Sequence, residues 1–180
     1  MKSIVLAIVV AVMFFQADDE TLRQQGMMIT DTVQSVLLAN VKTAMAAGGP
    51  ANAVAYCNVK AMPLTDSLSA LYRVNIRRTS LKHRSAANAP SMHEERVLRR
   101  FEFAVGKNQL PPSVLETIND TLHFYRPIIV AKPCLVCHGE PGVDITQETL
   151  SVLNTAYPND LATGYKEGDL RGMWHLVFGN

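Results

Sequence analysis

Several features that mark other classes of protein are scarce or missing in this sequence. The 17 basic and 16 acidic residues nearly cancel and leave a formal net charge of +1, which argues against nucleic-acid binding. A basic run at residues 73–84 (RVNIRRTSLKHR) is interpreted as a solvated face, because acidic residues elsewhere offset it. No internal repeat or low-complexity tract is present, and 48% of the residues are hydrophobic. One compact domain is therefore expected.

Long apolar runs are confined to the amino terminus. Residues 4–15 (IVLAIVVAVMFF) follow Lys2 and precede Ala17 and an acidic stretch, which is the layout of a secretory signal peptide. We predict that residues 1–17 are a leader cut after Ala17 and that residues 18–180 form a single periplasmic domain without membrane insertion. The run is shorter than the roughly 20 residues of a spanning helix. Because Phe15 is bulky so close to the cleavage site, an uncleaved anchor is the alternative.

Hydrophobic spacing predicts an α+β domain in which long amino-terminal helices precede a small antiparallel sheet. The predicted helices cover residues 20–47, 50–62 and 145–156, together with a helix that a capping box of Ser91 with Glu94 opens and Gly106 closes. The predicted strands cover residues 72–79, two or three stretches within 115–131, and 170–178. Gly48, Gly49 and Pro50 end the first helix, and Pro63 ends the second. The second helix carries Cys57 on its inner face.

The segment at residues 134–138 reads Cys-Leu-Val-Cys-His, the attachment motif of c-type haem. Two intervening residues hold the thiols of Cys134 and Cys137 about as far apart as neighbouring vinyl groups, and His138 follows directly as an iron ligand. With 3 Cys and 5 His in 180 residues, a chance match has a probability of about one in a thousand. The motif therefore predicts one covalent haem c.

Other uses of a Cys-x-x-Cys pair fit this sequence poorly. A structural zinc site needs four ligands and usually a second paired motif, which the sequence lacks. A thioredoxin-like dithiol needs the pair at the start of a helix after a strand, and it leaves His138 without a role. A disulfide between Cys134 and Cys137 also leaves His138 unexplained.

The second axial ligand is not fixed by spacing alone. Cys57 is either a small buried hydrophobe or an iron ligand. Competing candidates are methionines within helices and the other histidines, namely His83, His93, His123 and His175. His83 and His93 lie in polar sequence and are expected to be exposed. Arg77 or Arg78 can pair with a haem propionate, because a guanidinium matches a carboxylate, and solvent exposure is the alternative.

A resemblance to a known family is carried by segments spread over most of the chain. They are Cys57, Ile76-Arg77-Arg78-Thr79-Ser80-Leu81-Lys82, Asn88-Ala89-Pro90, Glu94, Leu98, Pro127-Ile128, Cys134-Leu135-Val136-Cys137-His138-Gly139 and Gly168-Asp169-Leu170-Arg171-Gly172. In these segments the sequence resembles bacterial PAS-like c-type haem domains, long described as a domain of unknown function. Members occur alone or as extracytoplasmic sensor parts of histidine kinases and chemoreceptors.

The resemblance implies a PAS-like fold with a five-stranded antiparallel sheet and a haem with His138 and Cys57 as axial ligands. Two features depart from the family pattern: Ser85-Ala86 stands where Asn-Pro is expected, and an aromatic residue expected near His93 is missing. Both concern the loop beside the haem and leave the ligands in place.

Three functions are considered. The leading hypothesis is a redox- or ligand-responsive haem domain without an enzymatic reaction, which signals through a separate redox or signalling partner and can form a homodimer through its first helix. The second is a small periplasmic electron-transfer cytochrome. The third is a peroxidase-type haem enzyme, which needs an open iron position and a distal acid/base group.

Overall fold

A computed structural model describes the backbone of residues 2–179 and the side chains of residues 19–179. The predicted leader at residues 1–17 lies outside the described side chains, and its cleavage stays a prediction. No helix in the described part of the chain is long and apolar enough to cross a membrane.

A long first helix precedes four strands and three shorter α-helices within residues 2–179. The α-helices are α1 (Lys2–Tyr72), α2 (Met92–Gly106), α3 (Leu135–His138) and α4 (Gln147–Ala156). The strands are β1 (Val74–Thr79), β2 (Val114–Ile118), β3 (Thr121–Ile129) and β4 (Leu170–Phe178). Short 3₁₀ helices cover Ala86–Asn88 and Lys132–Cys134. The α+β class with a long amino-terminal helical region is therefore confirmed.

Helix α1 is broken into two antiparallel arms. Gly48 and Gly49 leave helical geometry, and the φ of 71° at Gly49 lies in the left-handed region that glycine tolerates best. The Tyr56 hydroxyl donates to Asn40 Oδ1 at 2.9 Å across the two arms. The predicted end of the first helix at the glycine pair is confirmed, whereas its predicted start at residue 20 is wrong, because α1 begins at Lys2.

The second arm continues past Pro63, so the predicted end near Met62 is wrong. Pro63 lacks the N–H that would bond to the preceding turn. Beyond it, Leu64 and Leu68 pack into the main hydrophobic core, and Thr65 donates to the Ala61 carbonyl at 2.9 Å. The burial of these side chains offsets the lost hydrogen bond, and the arm ends at Tyr72.

The sheet has the order β1-β4-β3-β2, with antiparallel neighbours throughout. The sheet has four strands within residues 2–179. The resemblance implied five, so that number is wrong by one strand. Residues 80–91, which follow β1, form bends and a 3₁₀ turn capped by Ser85. This segment contains three Ser residues, Asn88 and Pro90, and these residue types favour turns over a further strand.

Two hydrophobic clusters cover the two faces of the sheet. The first packs side chains of α1 such as Ile29 and Val33 against Trp174 and Leu176 of β4. The second packs α2, through Leu98 and Phe101, against the other face. The predicted capping box that opens α2, between Ser91 and Glu94, is confirmed. The sheet thus separates an α1 side from an α2 side.

Candidate functional site

The Cys-x-x-Cys-His segment forms one short turn of helix between two hydrophobic clusters. Cys134 closes a 3₁₀ turn, and Cys137 and His138 lie in α3. Residues three apart in a helix lie on the same side, so both thiols, which are free and partly buried, are presented together. The Cys134 side chain packs beside Ala162 and Tyr165.

The imidazole of His138 is held by one nitrogen and leaves the other unused. Nδ1 lies 2.8 Å from the main-chain oxygen of Ala162. Since a carbonyl only accepts, Nδ1 carries the proton. No hydrogen bond involves Nε2 among the described residues. Burial, followed by the charges of Arg171 and Arg84, holds the pKa of His138 well below its usual value. The ring is therefore neutral, and its free lone pair is available for a metal.

Cys57 reaches this segment from the second arm of α1. It lies one helical turn after Val54, whose cluster with Ile145 and Leu153 also contacts Cys137. The Cys57 charge acts on the Cys137 thiol, whose pKa is raised mainly by burial. The packing of α1 on α3 and α4 thus brings Cys57 close to Cys137, although the two residues are far apart in sequence.

Burial raises the pKa of the Cys57 thiol, and the positive charges of Arg78 and Arg84 oppose that rise. Burial has the larger effect, so the unliganded side chain is a thiol. The arginine charges lower the cost of forming the thiolate, which is the form that binds a metal.

Three arginines surround His138. Arg171, Arg84 and Arg78 all disfavour a charge on its ring. The side chain of Arg78 makes no hydrogen bond or ion pair within residues 19–179, and its guanidinium lies 5.6 Å from the centre of the Trp174 ring. Burial lowers the pKa of Arg78, and the charges of Cys57 and Tyr157 oppose that effect. A partly buried cation without a partner anion is suited to a carboxylate ligand.

Arg77, the other arginine predicted to face a propionate, is not brought into this group. Its Nη1 lies 3.4 Å from Glu94 Oε2, and its Nη2 donates to the carbonyls of Ala87 and Ala89 at 3.2 and 3.0 Å. Neighbouring residues of a strand face opposite sides of the sheet, so Arg77 lies on the α2 side while Arg78 lies on the α1 side.

The interpretation of residues 73–84 as a solvated face is wrong for Arg84. Its side chain is 12% exposed and forms an ion pair with Asp160, and it donates to the Cys137 carbonyl at 2.6 Å. Arg171, to which the sequence assigns no role, donates to Ser80 Oγ at 3.2 Å. We call the group of side chains formed by Cys57, Arg78, Arg84, Cys137, His138 and Arg171 the pocket, because the arginine charges act on Cys57 or His138. The mixture of Arg with apolar residues in the basic run was the one signal for Arg84.

Three of the four remaining histidines lie on the α2 side. His175 Nδ1 is 2.8 Å from Glu94 Oε1, His123 Nδ1 is 2.8 Å from His175 Nε2, and His93 Nε2 is 2.9 Å from Glu116. The sheet separates these rings from Cys57, so they do not compete for the same iron. Among residues 19–179 no group of three or more His, Cys, Asp or Glu side chains is arranged to hold a metal ion.

His83 and His93 are partly buried, so their expected exposure is wrong. His83 Nδ1 is buried without a hydrogen-bond partner. Tyr125 is fully buried and stacks on His175 with ring centres 4.4 Å apart, which places it on the α2 side.

The fold and the site define a PAS-like α+β domain with a Cys-x-x-Cys-His turn and a cysteine opposite it. A family model described as "Tll0287-like: Tll0287" matches residues 15–178, and the chain belongs to this family. Among solved structures, it is similar to that of the cyanobacterial haem protein Tll0287, with 21% identity and a TM-score of 0.66 over 87% of this chain and 93% of that chain. That likeness confirms the PAS-like fold. No curated protein matches.

Proposed function

We propose that this protein is an exported c-type haem domain that senses redox state or a ligand in the periplasm. Haem binding is supported by the family and by the haem-protein relative. The observation that carries the proposal is that the fold brings Cys57 and Arg78 to the segment of Cys137 and His138. The expected export, the separate protein partner and possible homodimerisation are parts of the same proposal.

Covalent attachment uses the two thiols of Cys134 and Cys137. Each thiol would hold haem by adding across one of its vinyl groups: the S–H bond and the vinyl π bond would break, a C–S bond would form, and the hydrogen would go to the other vinyl carbon. The addition needs no oxidant or reductant. The turn that contains both cysteines presents both thiols on one side, as the addition requires.

When bound, haem supplies an iron that exchanges one electron between its ferric and ferrous states. His138 suits the proximal ligand position, because the Ala162 carbonyl fixes its Nδ1–H and leaves Nε2 for the metal. Cys57 suits the second position, because it lies beside the Cys137 and His138 segment. Burial raises the pKa of its thiol, and Arg78 and Arg84 would stabilise the thiolate once a metal binds it. Ligation of the iron by both His138 and Cys57 would leave no open position for a substrate, which disfavours a peroxidase.

Arg78 is the residue best suited to hold a propionate. Its guanidinium has no anionic partner in the described part of the chain, and a propionate would supply one. Arg171 and Arg84 already have hydrogen-bond partners, so they add positive charge to the pocket rather than free donors.

Sensing, rather than electron transfer alone, is favoured by the position of Cys57. The residue lies within an arm of α1 that packs on α3, α4 and the sheet. Release of Cys57 on reduction and protonation of its thiolate would free this arm to shift, which is a local change that a partner protein can detect.

The test is optical absorption of the exported protein in the ferric and dithionite-reduced states, together with a pyridine haemochrome assay. Wild type is compared with Cys57→Ala and with Val54→Ala, which removes core packing one turn away but no ligand. A c-type haemochrome in all three proteins, with a thiolate-type ferric spectrum lost only in Cys57→Ala, supports the proposal.

Other outcomes contradict particular parts of the proposal. Absence of haem from wild type overturns haem attachment at Cys134 and Cys137. An unchanged ferric spectrum in Cys57→Ala overturns thiolate ligation. If Cys57 stays bound in both oxidation states and electron self-exchange is fast, the protein is an electron carrier instead of a sensor.

A further inference from the structure

Arg84 and Asp160 form a largely buried ion pair next to the His138 segment. Arg84 Nε lies 2.9 Å from Asp160 Oδ2, and the two side chains are 12% and 9% exposed. Arg84 Nη2 also donates to the carbonyls of Cys137 and Ala162, at 2.6 and 3.3 Å. Asp160 Oδ1 accepts from the Ala162 N–H at 2.8 Å. The ion pair therefore contacts both polar groups of residue 162.

The Ala162 carbonyl is shared between Arg84 and the imidazole of His138. It accepts from His138 Nδ1 at 2.8 Å and from Arg84 at 3.3 Å, and Ala162 is fully buried. The Tyr165 N–H donates to the His138 carbonyl at 3.0 Å, which ties the segment after Ala162 to the same turn. The orientation of the His138 ring thus depends on a peptide group that the ion pair holds in place.

The two members of the ion pair have opposite electrostatic effects on a metal at His138. The positive charge of Arg84 favours the more reduced, less positive iron, and its donation to Ala162 weakens the acceptor for His138 Nδ1–H, so that the ring donates less charge to the metal. Asp160 partly neutralises Arg84 and opposes both effects.

We infer that Arg84 and Asp160 are positioning residues for His138 and set the reduction potential of the bound haem in opposite directions. The inference rests on the proposed function. A merely structural role makes a different prediction, because removal of either partner loosens the same segment and changes the potential in the same direction.

The experiment is a spectroelectrochemical titration of the full haem-loaded protein, preceded by a pyridine haemochrome assay. The variants are Arg84→Gln, Asp160→Asn, the double variant and Arg84→Lys. Arg99→Gln is the control, because Arg99 is 62% exposed and pairs with Glu95 on the surface of α2. If wild type carries no haem, the proposed function fails and this inference fails with it.

In haem-loaded protein, the midpoint potential is expected to fall in Arg84→Gln and to rise in Asp160→Asn. The ratio of ferrous to ferric haem at a fixed applied potential should change about threefold to tenfold in each case. The double variant should lie between the two single variants, Arg84→Lys should stay closer to wild type than Arg84→Gln, and Arg99→Gln should match wild type.

Shifts in the same direction in Arg84→Gln and Asp160→Asn, or no shift in either, would overturn the inference. If Arg84→Gln does not retain haem, the decision rests on Asp160→Asn and Arg84→Lys. A fall or no change in Asp160→Asn, or a shift in Arg84→Lys larger than that of Asp160→Asn, then overturns it.

Discussion

Arg77 and Arg78 are neighbours in β1, and their side chains lie on opposite sides of the sheet. Arg77 forms an ion pair with Glu94 of α2 at 3.4 Å, whereas Arg78 lies over the Trp174 ring on the α1 side, close enough to Cys57 for the two charges to interact. The alternation of side chains along a strand produces this division. One arginine supports the fold, and the other belongs to the pocket.

Replacement of each arginine by glutamine is predicted to change a different property: haem content for Arg78 and stability for Arg77. Arg78→Gln should lower the haem content of the purified protein by roughly twofold or more, because a propionate loses a charge-assisted hydrogen bond. Its unfolding midpoint in urea should stay near that of wild type. Arg77→Gln should keep its haem but lose about 1 to 3 kcal/mol of stability, because Glu94 is left buried without this partner.

Haem content is read from the ratio of Soret to protein absorbance, and stability from circular dichroism in urea. Each variant is the control for the other, since both remove one positive charge from the same strand. Equal losses of haem in the two variants would contradict the assignment of Arg78 to the pocket. An Arg77→Gln protein as stable as wild type would contradict the structural role of its ion pair.

The sequence-based predictions succeeded where the signal was local. The capping box at Ser91 and the glycine pair at Gly48 each depend on residues a few positions apart. In each case hydrogen bonding or backbone freedom within a single turn decides the outcome. The end of the second arm was missed because Leu68 packs against the sheet. This long-range contact outweighs the tendency of Pro63 to end the helix.

The sequence named Cys57, Arg78, Cys137 and His138 as candidates. Arg84 and Arg171 could not be predicted, because their partners come from distant segments. Arg84 looks like part of a basic surface run until its partner Asp160 is known. The division between Arg77 and Arg78 requires knowing which face of β1 packs on α1. Sequence spacing also left the histidines as possible ligands, whereas the sheet places His175 and His123 on the side away from Cys57.

Close contact between α1 and the sheet leads to a prediction about Gly26. A Cβ at this position would lie 2.7 Å from ring atoms of Phe124, which is fully buried. Gly26→Ala should therefore destabilise the protein by about 1 to 3 kcal/mol through overpacking, even though alanine favours a helix. At Gly106, the last residue of α2, a Cβ meets nothing within 4 Å, so Gly106→Ala should be neutral or stabilising by up to about 1 kcal/mol.

Thermal and urea unfolding of both glycine variants, followed by far-ultraviolet circular dichroism, check this prediction. The same substitution at two helical positions keeps the gain in helix propensity comparable. Equal stability of Gly26→Ala and Gly106→Ala would contradict the close contact between Gly26 of α1 and the Phe124 ring.

The buried carboxylate of Glu94 predicts a loss of stability in acid. Burial by itself would raise its pKa, but hydrogen bonds from His175 and Ser91 and the charge of Arg77 outweigh burial and lower the pKa from 4.5 to about 2. The carboxylate is harder to protonate in the folded state than in the unfolded state. The contribution of Glu94 to the free energy of unfolding is therefore complete above about pH 4.5 and is lost as the pH falls towards 2. The shift corresponds to about 3 kcal/mol.

Glu94→Gln removes this titration, and Glu95→Gln on the exposed side of the same helical turn is the matched control. Urea unfolding from pH 7 down to pH 2.5 should show Glu94→Gln less stable than wild type by about 3 kcal/mol near neutrality, with the difference shrinking below about pH 4.5 as wild type protonates Glu94. Glu95→Gln should parallel wild type at every pH. A difference for Glu94→Gln that stays constant with pH would show that packing of the amide, and not the charge of Glu94, causes the loss.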